Sequence, residues 1–147
     1  APRWRLAARG VPARPAPAQG PGIVVTTTGS DGGVAAPIIL DTVQELRAAG
    51  AEAIQVGDER VVANTWISER DGDLVISGKV VAPPYTIRAI GAANDLAGAM
   101  EIPGGVTATV RRAEGKTKTE IRDEVVVDAL LTLAPPQYAR PVPTTTP

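Results

Sequence analysis

The stretch "RAAGAEAIQVGDERV", residues 47–61, decides how this chain folds. A helix-forming run reaches Gly50, and a short apolar run, "AEAIQV", starts directly after it. In many α/β proteins such a junction carries a phosphate loop. That loop needs glycines that open a helix, where free amides and the positive dipole end attract anions. Here Gly50 is placed to close a helix as its left-handed C′ residue, so the amides point away from the junction. The stretch therefore reads as a corner. Ala51 and Ala53 are small where helix packs on sheet, and Ile54 and Val56 enter the core. Glu52 and Arg60 flank the strand and are placed to pair across it, unless they face a partner.

Upstream of the corner, the spacing predicts a helix from about Pro37 to Ala49, with proline in its first turn. Ile39, Val43 and Leu46 recur at i, i+4 and i+7 and give it one apolar stripe. A later start is the alternative, because Asp41 and Gln44 match a capping-box spacing. Before it, "GSDGG" is a turn cluster and "GIVVTTT" (22–28) a β-branched run with the signature of a buried strand.

Downstream, "GDE" is a turn, "RVVANTWIS" follows, and "RDGD" is a hairpin turn with Asp-Gly at its centre. "LVISGKVVA" reads as one strand with Leu74, Ile76 and Gly78 on one face. "PPYTIRAIG" reads as extended, since prolines disfavour helix before it and Tyr85, Ile87 and Ala89 alternate. "ANDLAGAME" is expected to form a short helix with Asn94 as N-cap. "VTATVRR", the turn "AEGK" and "TKTEIRDEVVV" are expected to form a final hairpin with charged outward positions. The order implies an α+β fold: a mainly antiparallel or mixed sheet with two helices on one face, a ferredoxin-like or split βαβ variant. The expected organisation is an Arg/Pro-rich linker or stalk (1–21), a single α+β domain (22–133) and a Pro/Thr-rich tail (134–147).

Composition narrows the chemistry. The 147 residues carry a net charge of -1, which argues against a nucleic-acid partner. There is no Cys, so disulfides, thiolate metal sites and a cysteine nucleophile are excluded. There is no His, so a Ser-His-Asp triad cannot be assembled and the commonest general base and metal ligand are missing. Hydrolysis would have to rest on carboxylates or lysine. Asp41 and Glu45 share a helix face, Asp71 and Asp73 flank a turn, and Asp58 and Glu59 are adjacent with diverging side chains. None of these has the look of two acids converging across a cleft, and Asp71 and Asp73 are only half of a calcium loop. Lys79, Lys116 and Lys118 sit on strand or hairpin positions with no sign of desolvation. No metal and no cofactor are expected. Tyr85 and Arg88, with Arg60, are the recognition candidates, because aromatic and arginine side chains dominate interaction hot spots. Trp4, among the arginines of the first 21 residues, reads as part of a solvated tether.

"GPGIVVTTT", "ELRAAGAEAIQVGDERVVANTWI", "PPYTIRAIG" and "DLAGAM" together resemble the domain of unknown function 881 family of Gram-positive bacteria. The resemblance covers about residues 20–135, with motif positions Gly50, Ala51, Glu52, Ala53, Arg60, Pro84, Tyr85 and Gly91. Members of that family typically have a short cytoplasmic end, one membrane helix, often a coiled coil, and then this domain outside the membrane. Their genes tend to lie near division and envelope genes, and no enzymatic activity is established for them. No apolar run here reaches the ~20 residues of a membrane span, so the anchor is expected outside this chain. The resemblance implies a non-enzymatic domain on the extracytoplasmic face of the cell membrane, with a protein partner in the envelope or division machinery. The expected interaction surface comprises Glu52, Arg60, Tyr85 and Arg88, with an oligomeric state that the residues leave open. A sensor of a cell-wall precursor or other metabolite is the alternative, and a carboxylate-based enzyme acting on glycans is the third reading.

Overall fold

The computed structural model describes residues 16–29 and 35–129, together with Tyr138 and Val142. Trp4, most of the basic leading segment and nearly all of the Pro/Thr tail lie outside the described residues. Eight strands and three helices are formed among the described residues. They are β1 (Ala18–Thr28), α1 (Ala35–Ala48), β2 (Ala53–Val56), β3 (Glu59–Val61), β4 (Ile67–Arg70), β5 (Asp73–Ile76), β6 (Lys79–Val81), β7 (Tyr85–Ile90), α2 (Ala93–Met100), α3 (Val106–Arg112) and β8 (Lys116–Val127).

Five strands make one sheet in the order β3-β2-β7-β1-β8. Every adjacent pair in it is antiparallel. Leaving aside β3, a short added edge, the remaining order is that of a ferredoxin-like β-α-β-β-α-β unit. β4, β5 and β6 form a second, three-stranded antiparallel meander between β3 and β7. The run "LVISGKVVA" is therefore two strands, because Ser77 and Gly78 take positive φ (47° and 89°) and close a two-residue hairpin. Asp71 and Gly72 do the same in "RDGD" (φ 53° and 86°).

The core lies between the helices and one face of the large sheet. Ile39, Val43 and Leu46 of α1 are buried as their spacing requires, and they meet Ile23, Val25, Ile54, Val56, Ile87 and Ala89. Leu74 and Ile76 of the meander and Leu96, Met100, Val106 and Val110 of α2 and α3 join the same cluster. A smaller cluster on the opposite face joins Ala53, Ile90, Val125 and Val127.

Further expectations are corrected. "VTATVRR" is helix α3, not a strand: its β-branched residues favour a strand locally, but Val106 and Val110, one turn apart, are both buried against the core. The sheet thus carries three helices rather than two. Asn94 lies inside α2, whose N-cap is Ala92 without a side-chain hydrogen bond. Asp41 lies mid-helix, so α1 takes the earlier start. β1 also starts at Ala18, ahead of the expected domain boundary at Gly22. Within that strand position 22 has to be glycine, because a Cβ there would stand 1.9 Å from the Ala89 carbonyl oxygen of β7.

Candidate functional site

At the corner, the Gly50 amide donates to the Arg47 carbonyl (3.0 Å) and the Ala51 amide to the Leu46 carbonyl (2.9 Å), with Gly50 at φ 95°. This is a complete Schellman closure, which satisfies the last helix carbonyls and sends the chain into β2. The corner binds its own backbone and offers no anion cradle.

The register then assigns the flanking residues. Arg60 of β3 stands opposite Gln55 of β2, Gln55 opposite Arg88 of β7, Arg88 opposite Val24 of β1, and Val24 opposite Glu120 of β8. This row crosses the sheet on the face away from the helices. Arg60 is 7 % exposed, and its Nη1 donates to the carbonyls of Ala16 (3.1 Å) and Val127 (3.4 Å). Gln55 Oε1 accepts from the amides of Asp128 (3.2 Å) and Ala129 (3.0 Å), while its Nε2 donates to the Gly57 carbonyl (2.8 Å). Arg60 and Gln55 together clamp both ends of the folded unit to the β2–β3 hairpin. A buried guanidinium serves here as a backbone tie.

The four expected interaction residues are not brought to one place. Glu52 is exposed just before β2 and forms no ion pair with Arg60 among the described residues. It alternates with Ala53 and Gln55, so it belongs to the opposite face from Arg60. Arg88 is half-buried on the clamp face. Tyr85, three residues earlier in the same strand, points the other way, 7 % exposed in the main core. Burial, then the negative charges of Asp73 and Glu69 on the meander, push the Tyr85 phenol above its ordinary pKa. Glu59 is buried and pairs with Lys79 (3.2 Å), tying the hairpin to the meander.

The other acids are dispersed. Asp41 and Glu45 lie on α1, and Asp71 and Asp73 flank the hairpin turn of the meander. Among the described residues no three acids gather that could hold a metal.

A groove of about 770 Å³ opens at the start of β8, on the far flank from the corner. Thr26 and Thr28 of β1, Thr107 and Arg111 of α3, and Lys116, Thr117, Lys118 and Glu120 of β8 line it. Glu120 is the single acid among its described lining residues, bonded to Arg122 (2.9 Å) and Lys118 (3.2 Å). The hydrogen bond from Arg122, reinforced by Lys118, holds the Glu120 carboxyl below the usual carboxylate range. Among the described residues the buried hydroxyls of Thr117, Thr119 and the neighbouring Thr27 find no hydrogen-bond partner. The alternating lysines and threonines of "KTKTE" were visible in the chain. Arg111 was not, because reading "VTATVRR" as a strand placed it on the wrong element.

With this geometry in view, residues 5–140 match the family described as bacterial protein of unknown function (DUF881). The chain belongs to the DUF881 family. It is 43 % identical over 142 residues to the UPF0749 protein Mb1856 of Mycobacterium bovis and to the UPF0749 protein Rv1825 of Mycobacterium tuberculosis. Each match covers 94 % of this chain and 49 % of the relative, so the chain spans about half the length of these DUF881 relatives. It is also similar to a solved structure, an uncharacterized conserved protein from Mycobacterium tuberculosis. That likeness has a TM-score of 0.78 at 43 % identity and covers 94 % of this chain and 99 % of the other.

Proposed function

We propose that this DUF881 domain is a non-enzymatic interaction module, carried on the extracytoplasmic face of the cell membrane and serving the envelope or division machinery. One observation carries the reading: the β8 flank offers a long strand edge with exposed apolar side chains. Among the described residues β8 is the last strand of its sheet, it is 12 residues long, and Ile121 and Val126 on it are 55 % and 43 % exposed. A free strand edge with apolar side chains is a template for a partner. The groove beside it adds Arg111, Lys116 and Lys118.

The chain's chemistry supports the non-enzymatic half of the reading. It has no His and no Cys, and the groove holds one acid where a glycoside hydrolase needs two. No helix among the described residues is long and apolar enough to cross a membrane. In this reading the tether lies outside residues 16–129.

A photo-reactive group at position 116 in the native host, read by mass spectrometry, tests the proposal. A dominant protein adduct, absent when the group is moved to Gln44 on α1, is the expected result. Turnover of cell-wall fragments by the purified chain, lost in Glu120→Gln, would overturn it.

The groove supports a second reading, a sensor of small anionic metabolites, since its volume falls within the range of ligand sites. Thermal stabilisation by phosphorylated cell-wall precursors, lost in Arg111→Ala, would favour that reading.

A further inference from the structure

Among the described residues the outer edge of β8 is unpaired, and its charge order bears on what could occupy it. Lys118, Glu120 and Arg122 share the sheet face away from the helices, because they stand opposite Thr26, Val24 and Gly22 of β1. Thr117, Thr119 and Ile121 share the helix face, opposite Thr27, Val25 and Ile23. Along one face the strand therefore reads plus, minus, plus, and near the middle of the other stands the exposed Ile121. Neither proline nor glycine interrupts β8.

Natural edges of this length are usually shielded by prolines, inward charges or bulges. β8 has one bulge, where its register with β1 shifts between Gly20 and Gly22. It falls after Arg122 and leaves Lys116–Arg122 regular.

Two antiparallel copies of a strand pair about a two-fold axis, and the residue on that axis faces itself. Within the regular stretch an axis on Lys116, Lys118, Glu120 or Arg122 would set like charges together, and one on Thr117 would set Lys116 against Lys118 twice, which is destabilising. That leaves Thr119 and Ile121. Centring on Thr119 places Lys116 against Arg122 twice. Centring on Ile121 opposes no like charges. It sets Glu120 against Arg122 twice and packs Ile121 on Ile121. Beyond the bulge it also brings Lys118 towards Glu124.

We propose that a second copy of this chain occupies the β8 edge, antiparallel and centred on Ile121, joining the two large sheets into one. This rests on the reading of the β8 flank as the docking surface and names its partner. Glu120 already bonds Lys118 and Arg122 in its own strand, so pairing extends that alternating ribbon into the second copy. A single strand pair is a small interface, so the association is weak and depends on concentration.

The absence of cysteine makes the test clean, because Ile121→Cys carries the only thiol. At equal concentration, Ile121→Cys is expected to form a disulfide-linked or bis-maleimide-linked dimer many times faster than Val80→Cys. Val80 is equally open, 60 % exposed, but lies on the meander. Sedimentation of the 147-residue chain in a series up to about 1 mM is expected to show mass rising from monomer towards dimer. Arg122→Glu sets Glu against Glu twice and should weaken association by about tenfold or more. The double swap Glu120→Arg with Arg122→Glu inverts both pairs and should restore it. Both side chains are on the surface, and circular dichroism checks that each variant folds.

A chain that stays monomeric throughout the series, with Ile121→Cys no faster than Val80→Cys, overturns the proposal. So does a dimer indifferent to Arg122→Glu. If the chain is monomeric while position 116 captures a different protein in the host, self-pairing fails and the interaction module stands. If position 116 captures nothing and the chain is monomeric, both fail.

Discussion

Two helix ends in this molecule use the same closure, and only one announces itself. At the corner, α1 ends with Gly50 at φ 95° and the chain passes into β2. On the β8 flank, α3 ends with Glu114 at φ 62°. The Glu114 amide donates to the Arg111 carbonyl (3.0 Å) and the Gly115 amide to the Val110 carbonyl (2.8 Å). Both are Schellman closures. At the corner the glycine occupies the left-handed position. On the flank it comes one residue later, where a Cβ would stand 2.7 Å from the Thr28 carbonyl oxygen. One glycine answers backbone conformation and the other close packing. "AEGK" therefore imitates a hairpin turn, and a helix was hidden behind it.

The two regions also differ in what their residues are committed to. The corner buries side chains on both faces of β2, from Ile54 and Val56 in the core to Gln55 in the terminal clamp. β8 is paired on one side only among the described residues and keeps Ile121 open.

The sharpest way to break this contrast is Leu46→Ala against Ile121→Ala. Leu46 is fully buried under the corner, so its truncation should cost about 3 kcal/mol in chemical denaturation. Similar losses at the two sites would abolish the distinction. Next, Gly50→Ala should cost about 1 kcal/mol, all of it backbone strain, because a Cβ there meets nothing within 4 Å. The mirror experiment is Glu114→Gly, expected to raise stability by roughly 0.5–1 kcal/mol through relief of the left-handed strain. A decrease would mean the α3 end does not close as described.

Smaller still, Ile121→Ala should change folding stability by less than about 0.5 kcal/mol when measured on dilute chain. The last effect is on pH dependence. Arg122 holds the folded Glu120 carboxyl below its unfolded value. Its stabilisation is therefore present above the unfolded pKa and lost as pH falls through the folded one. Glu120→Gln should flatten the acid limb of the stability profile below the ordinary carboxylate pKa of about 4.3. An unchanged limb would show that the Glu120 pairs do not persist in solution.

What the chain determined alone is local. The apolar stripe of Ile39, Val43 and Leu46, Gly50 at the helix end and Asp-Gly in the hairpin each report their structure within a few residues. There, backbone conformation and side-chain period decide. The α+β class, with a mainly antiparallel or mixed sheet of ferredoxin-like or split βαβ kind, followed from the sequence of such elements, and the missing His and Cys excluded whole chemistries outright. The tertiary structure decided the rest. The β-branched residues of "VTATVRR" favour a strand until Val106 and Val110 have a core to enter, and burial then outweighs propensity. Arg60 looked like a recognition residue and is a buried clamp, because its partners, the carbonyls of Ala16 and Val127, lie far away in the chain. Tyr85 and Arg88 were grouped on one interaction surface, although the alternation of their own strand already sets them on opposite faces. The open edge of β8 exists only once β1 has taken the other side, which no local signal can report.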